Sequence, residues 1–155
     1  MPLTTSRSVP DLSVTLDDGR TTSLSQLADG GHLVVFFYPK AFTSGCTAQA
    51  CHFRDLGAEF AEVGASRVGV SRDDVDTQSR FSSEHGFDFP LIADLDGSVS
   101  KALGAKRPGP LWNKRQTVVL APDLSVALVV SSETDMERHA DEALTYLREQ
   151  RADEG

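Results

Sequence analysis

The chain has two cysteines, Cys46 and Cys51, and both fall in the stretch FFYPKAFTSGCTAQACHFRD. Sulfur at that spacing can attack an electrophile as a thiolate, close reversibly into a disulfide, or ligate a metal. Thr43 and Ser44 are residue types that cap helix N-termini, and the apolar residues beyond them recur at helical spacing. With either as the cap, Cys46 lies in the first turn, where unpaired backbone N–H groups and the positive end of the helix dipole meet. That position favours a thiolate, which makes Cys46 the better candidate nucleophile.

Cys51 lies five residues further on. Five residues of ideal helix rise roughly 7.5 Å and turn about 140°, leaving the two Cα atoms about 8.6 Å apart with side chains on different faces. A disulfide requires Cα atoms within about 7 Å and converging Cβ vectors. An intact helix cannot carry this bridge. If the two thiols pair, the first turns must unwind, which suits a switch better than a staple, and so short a loop adds little entropic stabilisation. Three other uses of the pair stay open at this level. Cysteine is among the most buried residue types, so both thiols could be inert core residues. A metal site is poorly supported, because C-x4-C lacks a second pair of ligands and neither His52 nor His32 completes a zinc pattern with it. A thioredoxin-type dithiol would use C-x-x-C, which is absent.

The elements that must position these thiols alternate between strand and helix. Residues 12–16 alternate apolar and polar, Asp17-Asp18-Gly19 offers a turn, and residues 21–24 return, which predicts an N-terminal hairpin. Residues 25–28 make a helical turn. The continuous apolar run 33–38 predicts a central strand covered on both faces and ended by Pro39. Phe53, Leu56, Phe60 and Val63 then mark one stripe on a helix from near Ser44 to Gly64. Further strands are expected at 68–70 and 89–92, helices at 75–85 (closed by Gly86) and 99–103, and a turn at 94–97. Residues 104–115, with two prolines, two glycines and four basic residues, predict an irregular loop. A second hairpin follows at 117–120 and 126–130, then a last helix lined by Met136, Ala140, Ala143, Leu144 and Leu147, and a frayed polar tail at 151–155.

Composition narrows the function classes. At 155 residues the chain predicts a single domain over residues 1–155, and such a domain buries roughly 70% of its unfolded surface without needing a disulfide. No apolar run approaches the roughly 20 residues that cross a bilayer. The opening MPLTTSRSVPDLSV lacks the charged and apolar regions of a signal peptide, so the expected location is the reducing cytoplasm, where thiols read as catalytic or metal-binding first. A net charge of −8 repels phosphate backbones and anionic lipid, which argues against nucleic acid and membrane as partners.

The flanking residues carry a more specific signal. The pattern P-x-x-x-T-x-x-C is matched by Pro39, Thr43 and Cys46, and the longer run Y-P-K…T-x-G-C-T-x-x-A-C…F-R-D by residues 38–55. This stretch resembles the peroxiredoxins, specifically the peroxiredoxin Q or bacterioferritin comigratory protein type. The resemblance extends to Val9-Pro10-Asp11-Leu12, Val70-Ser71, Arg115-Gln116-Thr117 and the closing helix. It implies an α/β, thioredoxin-like (peroxiredoxin) fold: a central mixed β-sheet flanked by helices, with an N-terminal β-hairpin.

The resemblance also implies roles. Cys46 is the expected peroxidatic cysteine, whose thiolate takes an oxygen from hydrogen peroxide or an organic hydroperoxide and becomes a sulfenic acid. Thr43 would offer a hydroxyl between thiolate and peroxide, Arg115 fixed donors to the sulfur and the moving charge, and Pro39 a wall against water. Cys51 is the expected resolving cysteine, closing an intrasubunit disulfide that thioredoxin or a similar dithiol would reduce. No metal, haem, flavin or other cofactor is implied. An intrasubunit bridge makes a monomer the default, with a weak dimer as the alternative.

Two residues depart from the commonest pattern of the subgroup. Ser44 stands where proline is usual, and Gln49 where glutamate is common, so Arg115 is expected to be held less firmly or by another acceptor. Of Lys106, Arg107, Lys114 and Arg115, three are expected to be a solvated surface. Arg54 is expected either to face the active-site helix or to pair with a nearby acid. The four histidines read as surface or structural residues, and Trp112 as a loop anchor or part of the pocket rim. Two rivals survive: a thiol–disulfide oxidoreductase acting on proteins, and a redox-sensing or holdase-like protein that exposes apolar helix surface on oxidation.

Overall fold

The computed structural model describes residues 7–106 and 113–154. A small antiparallel sheet pairs β1 (Ser13–Thr15) with β2 (Thr21–Ser23), and α1 (Leu24–Ala28) follows directly, capped by the Ser23 side chain. The main sheet is built from β3 (Leu33–Phe37), β4 (Ser66–Ser71), β5 (Leu91–Ala93), β6 (Gln116–Leu120) and β7 (Val126–Ser131), in the order β5-β4-β3-β6-β7. β3, β4 and β5 run parallel, whereas β6 and β7 are antiparallel additions, so the sheet is mixed. Helices α2 (Ser44–Asp55), α3 (Gly57–Glu62), α4 (Val75–His85), α5 (Ser98–Ala102) and α6 (Met136–Glu154) complete the order.

β3 is central, and every residue in it is buried. Its side chains alternate strictly: Leu33, Val35 and Phe37 enter one core with β1, α1 and α5, while Val34, Phe36 and Tyr38 enter a second, aromatic core with α2, α3, α4 and α6. Cys46 belongs to the second core. Gly69 of β4 is required there by close approach, since a Cβ at that position would lie 2.7 Å from Leu91 Cδ2 and 2.8 Å from Phe36 Cζ.

The predicted elements are present with three differences. The helix expected from Ser44 to Gly64 is broken at Leu56 into α2 and α3. At the break Arg67 Nη1 donates to Phe53 O at 2.7 Å, the carbonyl that accepts Gly57 N–H in a continuous helix. Phe53 and Phe60 still share one core, with Leu56 and Val63 partly buried against it, so the stripe survives the break. β5 begins two residues later than expected, beyond Pro90, which has no N–H for a ladder. The last helix continues through the expected tail to Glu154. Within 104–115, residues 107–112 lie outside the described residues, and with them Arg107 and Trp112.

Candidate active site

The register of the sheet builds the site. β3 runs antiparallel to β6 with Phe37 opposite Gln116, so Arg115, just before β6, reaches the end of β3 where the chain turns through Pro39 toward α2. Residues 69 apart in sequence thereby meet. Arg115 Nη1 donates to Cys46 Sγ at 3.4 Å and to Gln49 Oε1 at 2.6 Å. Cys46 and Gln49 are fully buried, and Arg115 is 8% exposed. The guanidinium fits against the first turn of α2 because residue 45 is glycine: a Cβ there would come within 3.2 Å of Arg115 Nη2 and 3.5 Å of Met136 Sδ.

A buried cation is costly unless hydrogen-bonded. The neutral amide of Gln49 supplies the short bond, so the position does hold Arg115 without a charge. Glu133 Oε2 fixes the backbone by accepting from Arg115 N at 2.9 Å. Arg115 Nε is buried and has no partner among the described residues, which leaves one donor uncommitted. Behind it, His139 is buried between Thr117 Oγ1 (2.9 Å from Nδ1) and Ser132 O (2.8 Å from Nε2). Nε2 must donate to the carbonyl, so Nδ1 accepts from the threonine. Burial above all, and the nearby Arg115 charge, hold the His139 pKa down and the ring neutral.

The loop between β3 and α2 is held from the opposite side. Asp73 Oδ2 accepts from Ala41 N at 2.8 Å and from Ser71 Oγ at 2.6 Å. Tyr38 donates its hydroxyl to Gln78, and burial pushes its pKa well up, keeping the phenol neutral. Thr43 is the N-cap residue of α2, but its side chain does not cap; Thr43 Oγ1 donates instead to Lys40 O at 2.9 Å. The expected side-chain cap by Thr43 or Ser44 is therefore absent. Thr43 is exposed, Pro39 half-buried, and neither bonds Cys46 Sγ among the described residues. Phe42 adopts a left-handed backbone (φ 67) that non-glycine residues avoid, and the residue is 42% exposed, its ring leaning on Phe81.

Cys51 is half-buried and a free thiol, as is Cys46. Both lie in the uninterrupted α2, so the bridge between them is geometrically barred while that helix is intact. Arg54 resolves to the neighbouring-acid alternative, with Asp55 Oδ1 at 2.9 Å from Nη2, and also donates to His85 O at 2.7 Å. Lys114 is exposed and Lys106 half-buried, while Arg115 is the buried member of that basic group. The structure thus joins Cys46, Arg115 and Gln49 directly and reaches Thr43 and Pro39 only through the loop. Sequence reasoning missed Gly45, Glu133, Asp73 and His139, whose partners are set by strand pairing that no local pattern announces. A cavity of about 270 Å³ lined by Val14, Ile92 and Asp94 lies on the other side of the sheet from this chemistry. No helix among the described residues is long and apolar enough to cross a membrane.

A buried thiol at a helix N-terminus, facing an arginine delivered by the neighbouring antiparallel strand of a mixed sheet, places the molecule among thioredoxin-like thiol enzymes. Comparison with known proteins narrows the class. A match to the AhpC/TSA family spans residues 5–129. A putative peroxiredoxin of Mycobacterium tuberculosis is 48% identical over 147 residues, covering 93% of this chain and 96% of its own. The crystal structure of peroxidoxin BcpB from Mycobacterium tuberculosis superimposes with a TM-score of 0.90 at 46% identity, covering 94% of this chain and 96% of its own. The bacterioferritin comigratory protein of Xanthomonas campestris, studied for alkyl peroxide reduction, gives 0.86 at 32% identity, covering 95% and 99%. The chain belongs to the AhpC/TSA family and, within it, to the peroxiredoxins of the Q or bacterioferritin comigratory type. It is a peroxidase that reduces hydroperoxides with a thiol reductant.

Proposed function

We propose that Cys46 is the peroxidatic thiol and Cys51 the resolving thiol of an intrasubunit cycle. The Cys46 thiolate attacks the terminal oxygen of the hydroperoxide, the O–O bond breaks, and the leaving oxygen departs as alcohol or water after taking a proton, while the sulfur becomes a sulfenic acid. Arg115 stabilises the transition state, with Nη1 on the sulfur and Nε available to the oxygens. Thr43, whose hydroxyl proton is committed to Lys40, turns lone pairs toward the incoming peroxide and accepts a hydrogen bond from its O–H. Pro39 bounds the pocket. Cys51 then attacks the sulfenic sulfur, an S–S bond forms and water leaves. An external dithiol, thioredoxin in our reading, reduces the bridge by exchange. The 3.4 Å contact of Arg115 with the buried Cys46 sulfur is the observation that carries this assignment.

Organic hydroperoxides are proposed substrates beside hydrogen peroxide, because the exposed Phe42 ring adjoins Thr43 and because the Xanthomonas relative is described by its alkyl peroxide reduction. Both thiols of this cycle lie in one chain, which supports a monomer, and our reading places it in the cytoplasm.

Intact mass after reduced protein receives one equivalent of hydrogen peroxide tests the assignment, run beside Cys46→Ser and Cys51→Ser. The wild type should lose two hydrogens, Cys51→Ser should gain oxygen at Cys46, and Cys46→Ser should stay unchanged. An unreacted wild type, or oxygen gained at Cys51 when Cys46 is intact, overturns the roles. A protein-exchanging dithiol is disfavoured by the complete burial of Cys46.

A further inference from the structure

Helices α2 and α6 pack through one buried cluster, with Ala50 and Phe53 of α2 against Ala140, Ala143 and Leu144 of α6. At the solvent edge of that junction three metal-ligating side chains converge: His52 from α2, and Glu137 and Asp141, one turn apart on α6. His52 Nε2 lies 2.7 Å from Asp141 Oδ1, and the ligand atoms of all three lie within 4.8 Å of one another. No histidine or cysteine spacing in the sequence announces this group, because helix packing assembles it.

The charges distinguish the cluster from an ordinary acidic face. Glu137 and Asp141 stand at i and i+4, where like charges repel. The adjacent Arg138 turns away to Glu142 at 3.0 Å, and Glu137 has no basic partner among the described residues. The group facing the two carboxylates from the other helix is an imidazole, 24% exposed and already oriented by one of them. One imidazole nitrogen with two carboxylate oxygens is a donor set that zinc and its neighbours accept, three protein ligands leaving a fourth position for water. Bonds of about 2.0–2.2 Å place tetrahedral ligand atoms roughly 3.3–3.5 Å apart. Nε2 and Oδ1 would therefore separate slightly, and the remaining donor would close by roughly an ångström, a movement within the reach of an exposed glutamate's torsions.

We propose that His52, Glu137 and Asp141 bind a divalent transition-metal ion such as zinc, which clamps α2 to α6 and restrains the unwinding that closure of the Cys46–Cys51 bridge requires. His52 adjoins Cys51 in the chain, so drawing Cys51 toward Cys46 pulls His52 away from α6. An ion that binds the helical form alone lowers the unwound fraction by a factor of one plus the ratio of its concentration to Kd, about a hundredfold at a hundred times Kd. The binding site stands on geometry alone; the restraint rests on Cys51 as the resolving thiol.

The test begins with the Cys46→Ser/Cys51→Ser protein, in which no thiolate competes for the ion. Titration with zinc chloride in a calorimeter should show one saturable site per chain, and Glu137→Gln/Asp141→Asn or His52→Gln should weaken it by at least about tenfold. No saturable binding, or binding indifferent to these substitutions, overturns the site. In the protein with both thiols, saturating zinc should slow disulfide formation after one equivalent of peroxide but leave the initial loss of peroxide unchanged. Glu137→Gln/Asp141→Asn should abolish that slowing. Slowing that persists in the variant, or zinc bound at the site without slowing, overturns the restraint while leaving the peroxidase assignment intact.

Discussion

Replacing Gln49 with leucine removes the oxygen that holds Arg115 while keeping a side chain of similar size in a fully buried space. The lost contact is the 2.6 Å bond from Arg115 Nη1. A hydrogen bond from a charged donor contributes about 1.5–3 kcal/mol, whereas the second contact of Gln49, from Nε2 to Phe37 O at 3.4 Å, is too long to add much. Without Gln49, the 8% exposed guanidinium keeps, among the described residues, Cys46 Sγ as its side-chain acceptor at 3.4 Å, with its Nε unpartnered there. Arg115 then loses its fixed aim at the sulfur. If the lost placement is felt mainly in the transition state, each 1.36 kcal/mol is a factor of ten, so the rate constant for the first equivalent of peroxide falls between about tenfold and a hundredfold. Stopped-flow loss of peroxide under single-turnover conditions measures it, and a thermal melt separates the kinetic loss from any loss of folded protein. Gln49→Glu, which restores an acceptor at the same place, should recover most of the rate. A leucine variant within about a factor of two of wild type would refute the idea that Gln49 positions Arg115.

Three further outcomes follow from the packing and the charges. Gly69→Ala forces a Cβ against Leu91 and Phe36 in the sheet and should cost about 1–3 kcal/mol, read as a melting temperature lower by about 2–4 °C for each kcal/mol. The lowered pKa of buried His139 means that the unfolded chain takes up its proton first, so this residue's contribution is intact above 6.5 and is lost as pH falls below it. His139→Gln should lower stability at pH 7 by about 1–3 kcal/mol through the broken bonds, yet flatten the decline between pH 7 and 5 in denaturant titrations. Asp88, paired with Arg67 at 2.8 and 3.0 Å, has its pKa lowered chiefly by those bonds; its contribution holds above 3.8 and fades as pH falls through the folded value. Asp88→Asn should therefore cost about 1 kcal/mol at pH 7, the exposed carboxylate being screened, and nothing in strong acid.

How much of this was legible in the residues differs from element to element. The run 33–38 reads correctly as a buried central strand, because a strand covered on both faces needs no polar alternation. α4 and its closing Gly86, with φ 62, were equally legible, since that conformation favours glycine. The break at Leu56 was not, and beside it Arg67 donates to Phe53 O, a contact across the α2–β4 junction that no local pattern announces. The cap of α2 misled for a related reason: Thr43 is the right residue type, but the carbonyl of Lys40 offers its hydroxyl a different acceptor.

The sequence by itself determined the two thiols, their five-residue spacing on one helix, and hence that no disulfide can join them without unwinding. Those conclusions use only local geometry. The tertiary structure decided what surrounds the thiols. The β3–β6 register brings Arg115 to Cys46, Gln49 shows itself as the holder of that arginine, and the packing of α2 on α6 gathers His52, Glu137 and Asp141. Each of these depends on pairing between distant segments, where many alternative registers and faces satisfy the same local pattern and cooperative burial in the two cores selects one.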